Sequence, residues 1–337
     1  MPPLIIGKFP ETRPRRNRKT AWSRDMVAET RLSVKDLIWP LFLCEPTYKR
    51  EIDSLPGVTR YSIDELRGAA ESALRAGIPA ITLFGVTPLE KKCARGKEAL
   101  NGNNLTVQAL RVLKSEFPEL GVITDIALDA YTSHGHDGVL NGDDVDNDET
   151  LEILAQMAVL HAQAGVDVVA PSDMMDGRVG AIRKALDQAG YTHVQILTHA
   201  AKYASAFYGP FREALGSASS LGKGNKKTYH MDPANVREAL YEGALDVQEG
   251  ADMLMVKPGL PYLDVLAKFK DTFHLPVFVY QISGEYAMLK AAAQNGWIDY
   301  DRAILETMTS FKRAGAAGVL TYAAPDVARL IRESNTI

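Results

Sequence analysis

Short apolar runs recur along the chain at intervals long enough to hold a helix between them. LIWPLFL (37–43), AITLF (80–84), GVITDIAL (121–128), VDVVAP (166–171), VQILTH (194–199), ADMLMVK (251–257), PVFVY (276–280) and GVLTY (318–322) mostly lack strict apolar–polar alternation. That pattern predicts strands buried on both faces, as in a parallel sheet. Amphipathic stretches separate them: SIDELRGAAESALRAG (62–77), DETLEILAQMAVLHAQAG (148–165), DPANVREALYEGALDVQEG (232–250) and DYDRAILETMTSFKRAG (299–315). They open on Ser or Asp, which cap a helix start, and close on Gly, which accepts the left-handed backbone at a helix end. Eight strands alternating with helices predict an α/β fold closed as a (β/α)8 TIM barrel. The rival, an open doubly wound sheet, carries a glycine-rich phosphate turn after its first strand; LFLCEPTYKR stands there instead.

The first thirty or so residues break this rhythm. Arg13, Arg15, Arg16, Arg18, Lys19 and Arg24 make a basic segment with little apolar periodicity. It reads as an arm wrapping a neighbouring subunit, as a nucleic-acid contact, or as a solvated tail. Composition narrows little else. The 337 residues are 46% hydrophobic and 24% charged, enough apolar material for a large core. A net charge of −4 gives no global pull toward nucleic acid or an anionic membrane. No apolar run reaches the roughly 20 residues that span a bilayer, and the opening MPPLIIGKFPETRPRR is too short in apolar length for a secretory signal, so a cytoplasmic location is expected. Cys44 and Cys93 are too few for a disulfide framework or a closed zinc site and read as free buried thiols.

A barrel places its catalytic groups at the C-terminal ends of strands and in the loops that follow. Lys257 ends the sixth run, in MLMVKPG, where Pro258 and Gly259 break the strand. Desolvation and a neighbouring cation lower a lysine pKa and expose a nucleophilic amine; a lysine snorkelling to solvent has the same address. Lys202 lies just past the fifth run, in THAAKYASAFYGPFR. Neighbouring strands let the two ammonium groups face each other and suppress each other's protonation. Two amines are also what a condensation of two carbonyl substrates needs. Between them GPFREALGSASSLGKGNKKTYH (209–230) has no clear period and reads as a mobile lid over the barrel mouth. Its Arg212, Lys223, Lys226 and Lys227 suit a substrate carboxylate. Ser283, after the seventh run, and Tyr322, ending the eighth, sit where a hydroxyl reaches a carboxylate or carbonyl; capping and packing are their alternatives. In TDIALDAYTSHGHDG (124–138), Asp125, Asp129 and Asp137 flank His134 and His136, ligand types for Zn, Mn or Mg. A barrel hydrolase would end later strands in further His. His199 ends the fifth run, but the later runs end in Lys or Tyr.

The motifs DIALDAYTSHGHDG, APSDMMDGRVGAIR, AKYASAFYGPFREA, GADMLMVKPGLPYLD, YQISGEYAM and FKRAGAAGVLTY, in this order, resemble the porphobilinogen synthase family, also called 5-aminolevulinate dehydratase. The likeness runs from RPRRNRKT to the last helix. It implies a TIM-barrel catalytic domain over 33–337 behind an oligomerisation arm over 1–32, and a homo-octamer of arm-wrapped dimers with no nucleic-acid or membrane partner. It implies a lyase that condenses two molecules of 5-aminolevulinate asymmetrically into porphobilinogen, the pyrrole precursor of haem, chlorophyll and cobalamin. By motif, Lys257 forms the Schiff base to the substrate supplying the propionate side, and Lys202 the one to the substrate supplying the acetate and aminomethyl side. Arg212 and Lys226 hold the second carboxylate, Ser283 and Tyr322 the first, with Asp125 and Ser172 as polar support.

The chain departs from one branch of that family. Zinc-dependent members carry three cysteines in the segment equivalent to 127–137; Ala127, Asp129 and Asp137 stand here, so no thiolate zinc site forms. The resemblance is to the aspartate-rich branch, with magnesium, potassium or no metal at the site and no organic cofactor. Asp129 and Asp137 suit a hard cation through oxygen and water. Glu242, in ALYEGALD, matches a glutamate that binds a structural, allosteric Mg in many relatives. His230, in TYHMDP, stands where the family more often has Gln. Other readings remain open. A single-lysine class I aldolase needs Lys257 but neither Lys202 nor the cations of the loop. A metal hydrolase uses His134 and His136, and a binding protein uses only the basic arm.

Overall fold

The computed structural model describes residues 7–216 and 225–334. Eight parallel strands close into a barrel: β1 (Leu37–Leu43), β2 (Ala80–Gly85), β3 (Gly121–Ile126), β4 (Val168–Pro171), β5 (Gln195–Lys202), β6 (Met253–Lys257), β7 (Val277–Gln281) and β8 (Gly318–Thr321). Each pairs with the next, and β8 returns to β1 through Leu37↔Val319 and Ile38↔Leu320. The first run matches β1 end to end, and most others shift by one or two residues. The fifth is a correction. β5 does not stop at His199 but continues through Lys202, with a register shift between Thr198 and Ala201. Three small or basic residues, Ala200, Ala201 and Lys202, carried no apolar signal, yet all are buried in the sheet.

Leu41, Ile81, Val169, Leu254 and Val279 are among the buried strand residues, because a strand here meets the barrel interior on one face and helices on the other. The helical layer is α1 (Ile63–Ala76), α2 (Leu105–Glu116), α3 (Asn147–Gln163), α4 (Arg178–Gln188), α5 (Arg237–Gln248), α6 (Leu263–Thr272), α7 (Ser283–Gln294), α8 (Tyr300–Arg313) and α9 (Ala324–Ser334). Capping sets its boundaries. Ser62 accepts from the Glu65 amide while Glu65 accepts from the Ser62 amide, and Gly77 takes φ +79° to end α1. Asp299 accepts from the Arg302 amide at the start of α8. The expected helix start at Asp232 is overturned: Asp232 instead closes a turn with the Ala234 amide, and α5 begins at Arg237. Pro233 follows at once, and an Asp side chain bonded two residues on builds a turn rather than a cap.

Ahead of the barrel, residues 7–32 carry a 3-10 turn over Pro14–Arg18 and a short helix over Ala21–Met26. Ser23 and Arg24 bond back to the carbonyls of Asn17 and Arg18, within the segment itself. Phe9 and Trp22 are 76% and 68% exposed.

One close approach fixes how the barrel mouth is built. A Cβ on Gly284, at the start of α7, would lie 2.8 Å from Phe207 Cα and nearer still to the Phe207 carbonyl oxygen. Only the absence of a side chain lets the segment after β5 rest on α7. Gly284→Ala is therefore expected to lose about 1–3 kcal/mol, the usual penalty for overpacking a rigid contact. Urea unfolding would show it as a lower midpoint; an unchanged midpoint would contradict the contact.

Candidate active site

Because β5 and β6 pair in parallel, Lys202 and Lys257 are direct register partners at the ends of their strands. The Tyr203 amide donates to the Lys257 carbonyl at 3.1 Å and ties the two ends together. Both lysines are buried, 5% and 3% exposed. Their surroundings differ. Lys202 Nζ donates to Asp137 Oδ2 at 3.2 Å and to the Ser172 carbonyl. Lys257 Nζ stands over the rings of Tyr280 (4.8 Å to the centroid), Phe211 (5.2 Å) and Tyr208 (5.7 Å). Burial pushes Lys257 down to about 7, and the charge of Lys202 pushes the same way against the pull of Asp125. Asp125 itself is pushed up to about 6, chiefly by burial. Near neutral pH a large share of Lys257 is thus the free amine that attacks a carbonyl.

The turn after Lys257 is clamped by a buried carboxylate. Glu285 accepts from the amides of Gly259 (3.0 Å), Leu260 (2.6 Å) and Ile282 (2.9 Å), joining the end of β6 to the start of α7.

The opposite wall is ionic. Lys226 Nζ bridges Asp129 Oδ2 at 3.1 Å and Asp137 Oδ1 at 2.7 Å. His230 Nε2 meets Asp137 Oδ2 at 2.8 Å. Burial opposes the charge on Asp137, but Lys202, Lys226 and the His230 hydrogen bond together hold its carboxyl well below the usual range. Lys226 is likewise opposed by burial and raised by its two aspartates. Burial, then Lys202, pushes His230 down to about 3. The ring is neutral, and since an ionised carboxylate only accepts, Nε2 donates.

The family model for delta-aminolevulinic acid dehydratase matches residues 11–330. The chain belongs to the delta-aminolevulinic acid dehydratase family. The delta-aminolevulinic acid dehydratase of Bradyrhizobium diazoefficiens is 58% identical over 321 residues, covering 95% of this chain and 91% of that one. That of Rhodobacter capsulatus is 51% identical over 329 residues, 97% of this chain and 99% of that one. The crystal structure of the Toxoplasma gondii enzyme in complex with its reaction product, porphobilinogen, superposes with a TM-score of 0.93 at 48% identity, covering 96% of this chain and 92% of that one.

For a delta-aminolevulinic acid dehydratase the sequence singled out eleven site residues, and the fold gathers most of them. Asp125, Asp129, Ser172, Lys202, Arg212, Lys226 and Lys257 line one cavity with Tyr208, Phe211 and His230. Its free volume is only about 30 Å³, so the wall is drawn in closely around both amines. Asp137 stands behind that wall, bonded to Lys202, Lys226 and His230. Ser283 and Tyr322 also stand one layer back: Ser283 Oγ accepts from the Phe211 amide at 3.0 Å, and the Tyr322 hydroxyl meets that of Tyr280 at 2.7 Å. Glu242 belongs to a separate polar pocket of about 380 Å³ with Asp144, Asp176, Asp232 and Glu238. Lys223 lies outside the described residues.

His134 meets the Ala94 carbonyl at 3.0 Å, and His136 Nδ1 meets the Tyr229 hydroxyl at 3.0 Å. Among the described residues no three His, Cys, Asp or Glu are gathered as a metal set, nor is any helix long and apolar enough to cross a membrane. Cys44 is buried as expected, but Cys93 is not: it sits in a turn, where its Sγ accepts from the Lys97 amide. The aromatic box of Tyr208, Phe211 and Tyr280 was missed. Two of its members stood in AFYGPF, read there as motif rather than as the wall that desolvates Lys257.

Borohydride trapping of a small keto acid at Lys257 should rise with pH through about 7 and level off above it, because the attacking form is the deprotonated one. Lys202→Met removes the neighbouring cation, so the inflection at Lys257 should move to higher pH. An unmoved inflection would show that the two ammonium groups do not sense each other.

Proposed function

We propose that the chain condenses two molecules of 5-aminolevulinate into porphobilinogen, with one substrate carried on Lys257 and the other on Lys202. The observation that carries this reading is the register pairing of the two lysines at one barrel rim. A single-lysine aldolase would leave Lys202, Lys226 and their aspartates without a task. A hydrolase would need His134 and His136 to share a cation, and the two rings instead meet a carbonyl and a phenol.

The chemistry follows from the two environments. Each amine adds to a ketone carbon and water leaves, giving an iminium that acidifies the adjacent carbon. On Lys202 that carbon loses its proton, and the enamine forms a C–C bond to the former ketone carbon of the partner on Lys257. The partner's amino group then closes on the iminium carbon at Lys202 and releases that lysine, and loss of Lys257 completes the pyrrole. Two waters leave for each product formed. Arg212 and Lys226 are placed to hold the carboxylate of the Lys202 substrate, and Asp125 and Ser172 give the cavity polar walls. Ser283 and Tyr322 support the Lys257 side through their bonds to Phe211 and Tyr280. Carrying the two substrates on adjacent lysines supplies the proximity that two free molecules lack.

Asp129 and Asp137 do not fit a catalytic cation, because three nitrogen donors already occupy their facing oxygens. No step is drawn through a metal there. Glu242 does fit a magnesium ion. Its pocket is polar, burial pushes its carboxyl up, and Asp246, Asp176 and Glu238 add to that push while Arg178 opposes it, so a cation would relieve the crowding. One carboxylate with water completing the shell is a mode Mg accepts. Exposed Phe9 and Trp22 on a segment with no core of its own support docking of the arm on a second copy of the chain, in a homo-oligomer.

Incubation with 5-aminolevulinate, reduction with borohydride and peptide mapping should find adducts at both Lys202 and Lys257. Lys202→Met should form no pyrrole while Lys257 is still trapped; pyrrole formation by that variant would favour the one-lysine reading. For the metal, Glu242→Ala should lose Mg binding by titration calorimetry and lose Mg-dependent activation with it. Unchanged Mg binding would place the ion elsewhere.

A further inference from the structure

We infer that His230 is a positioning residue for Lys202: it fixes the carboxylate of Asp137 on which Lys202 is aimed. The inference rests on the two-lysine reading above. Asp137 Oδ2 is shared by His230 Nε2 at 2.8 Å and Lys202 Nζ at 3.2 Å, while Oδ1 is taken by Lys226 at 2.7 Å. Three donors on two oxygens leave the carboxylate one orientation. His230 is itself anchored. Its amide donates to the Lys226 carbonyl at 2.8 Å, its ring stands edge-on to Tyr229 at 4.9 Å, and the next amide, of Met231, donates to the Lys202 carbonyl at 3.0 Å. One turn therefore ties the backbones of both lysines, and the imidazole is its side-chain link to their shared counter-ion.

The restraint matters most during turnover. Lys226 cannot bridge Asp129 and Asp137 and also hold a substrate carboxylate with full strength. When it turns to the substrate, Asp137 loses the partner on Oδ1. Without His230 the carboxylate would be free to rotate and follow Lys226, leaving Lys202 without its acceptor. His230 holds Oδ2 toward Lys202 whatever Lys226 does. A neutral N–H suits this task because it adds no charge to compete with the ammonium for the carboxylate. The task needs a donor at imidazole reach, which a glutamine amide also supplies and an asparagine or leucine does not.

The test compares wild type, His230→Gln, His230→Asn and His230→Leu in borohydride trapping with 5-aminolevulinate, mapped separately at the two lysines. His230→Leu is expected to slow trapping at Lys202 by about ten- to a hundredfold, the range for losing a hydrogen bond to a charged group, with Lys257 unchanged. His230→Gln should restore Lys202. If His230→Leu fails to fold, His230→Asn carries the comparison, since its shorter donor should show the Lys202 defect that Gln does not. Equal trapping at Lys202 in the folded Leu or Asn variant, or equal loss at both lysines, overturns the inference while leaving the two-lysine reading intact. Wild type trapped at Lys257 alone overturns that reading and the inference with it.

Discussion

Two ammonium groups buried side by side cannot both keep their protons unless something compensates one of them. The rest of the site answers to this constraint. Parallel pairing of β5 with β6 sets Lys202 against Lys257, and the burial of both weakens the solvent screening of their repulsion. The compensation is asymmetric. Lys202 receives a carboxylate and a carbonyl, while Lys257 receives the faces of three aromatic rings. A ring face attracts a cation far less than a carboxylate does, so burial wins at Lys257 and pushes it down to about 7. One amine is thus ready near neutral pH and the other is held in place. That is the inequality an ordered condensation of two identical substrates requires.

Much of the scaffold was legible because its cause is local. Eight apolar runs and their Ser, Asp and Gly boundaries report burial and capping, which short windows of sequence carry. The errors fall where local signal and tertiary context part. Ala200, Ala201 and Lys202 read as lying past the strand, yet the sheet runs on to Lys202 because Val256 and Lys257 on β6 pair with Ala201 and Lys202. Asp232 read as a helix cap, yet Pro233 turns the chain before the helix can start.

The site divided along the same line. Lysines at strand ends could be found from pattern, since the barrel fixes where a strand end points. Roles that depend on which neighbour turns inward could not. Ser283 and Tyr322 carry the right chemistry at the right end of the barrel, but pattern alone does not show that their hydroxyls meet the Phe211 amide and the Tyr280 hydroxyl. The rings that desolvate Lys257 come from β7 and from the segment after β5, more than 60 residues apart in the chain. No periodicity connects them.

The aspartates make the sharper point. Exchanging thiolates for carboxylates leaves buried negative charge that still needs a cation. Sequence reasoning left a hard cation or no metal open there; in the fold the ammonium of Lys226 reaches both Asp129 and Asp137. The two solutions are not equivalent physically. A divalent ion held by several ligands stays where it is, whereas an ammonium on a four-carbon stem can leave for a substrate carboxylate and return. On the reading proposed above, the same charge neutralises Asp129 and Asp137 and then binds the substrate. That economy comes at the expense of Asp137, which is stripped of a partner whenever Lys226 departs. A second, immobile donor on Asp137 is therefore what the aspartate design demands, and His230 stands 2.8 Å away on a turn bonded to the backbones of Lys226 and Lys202.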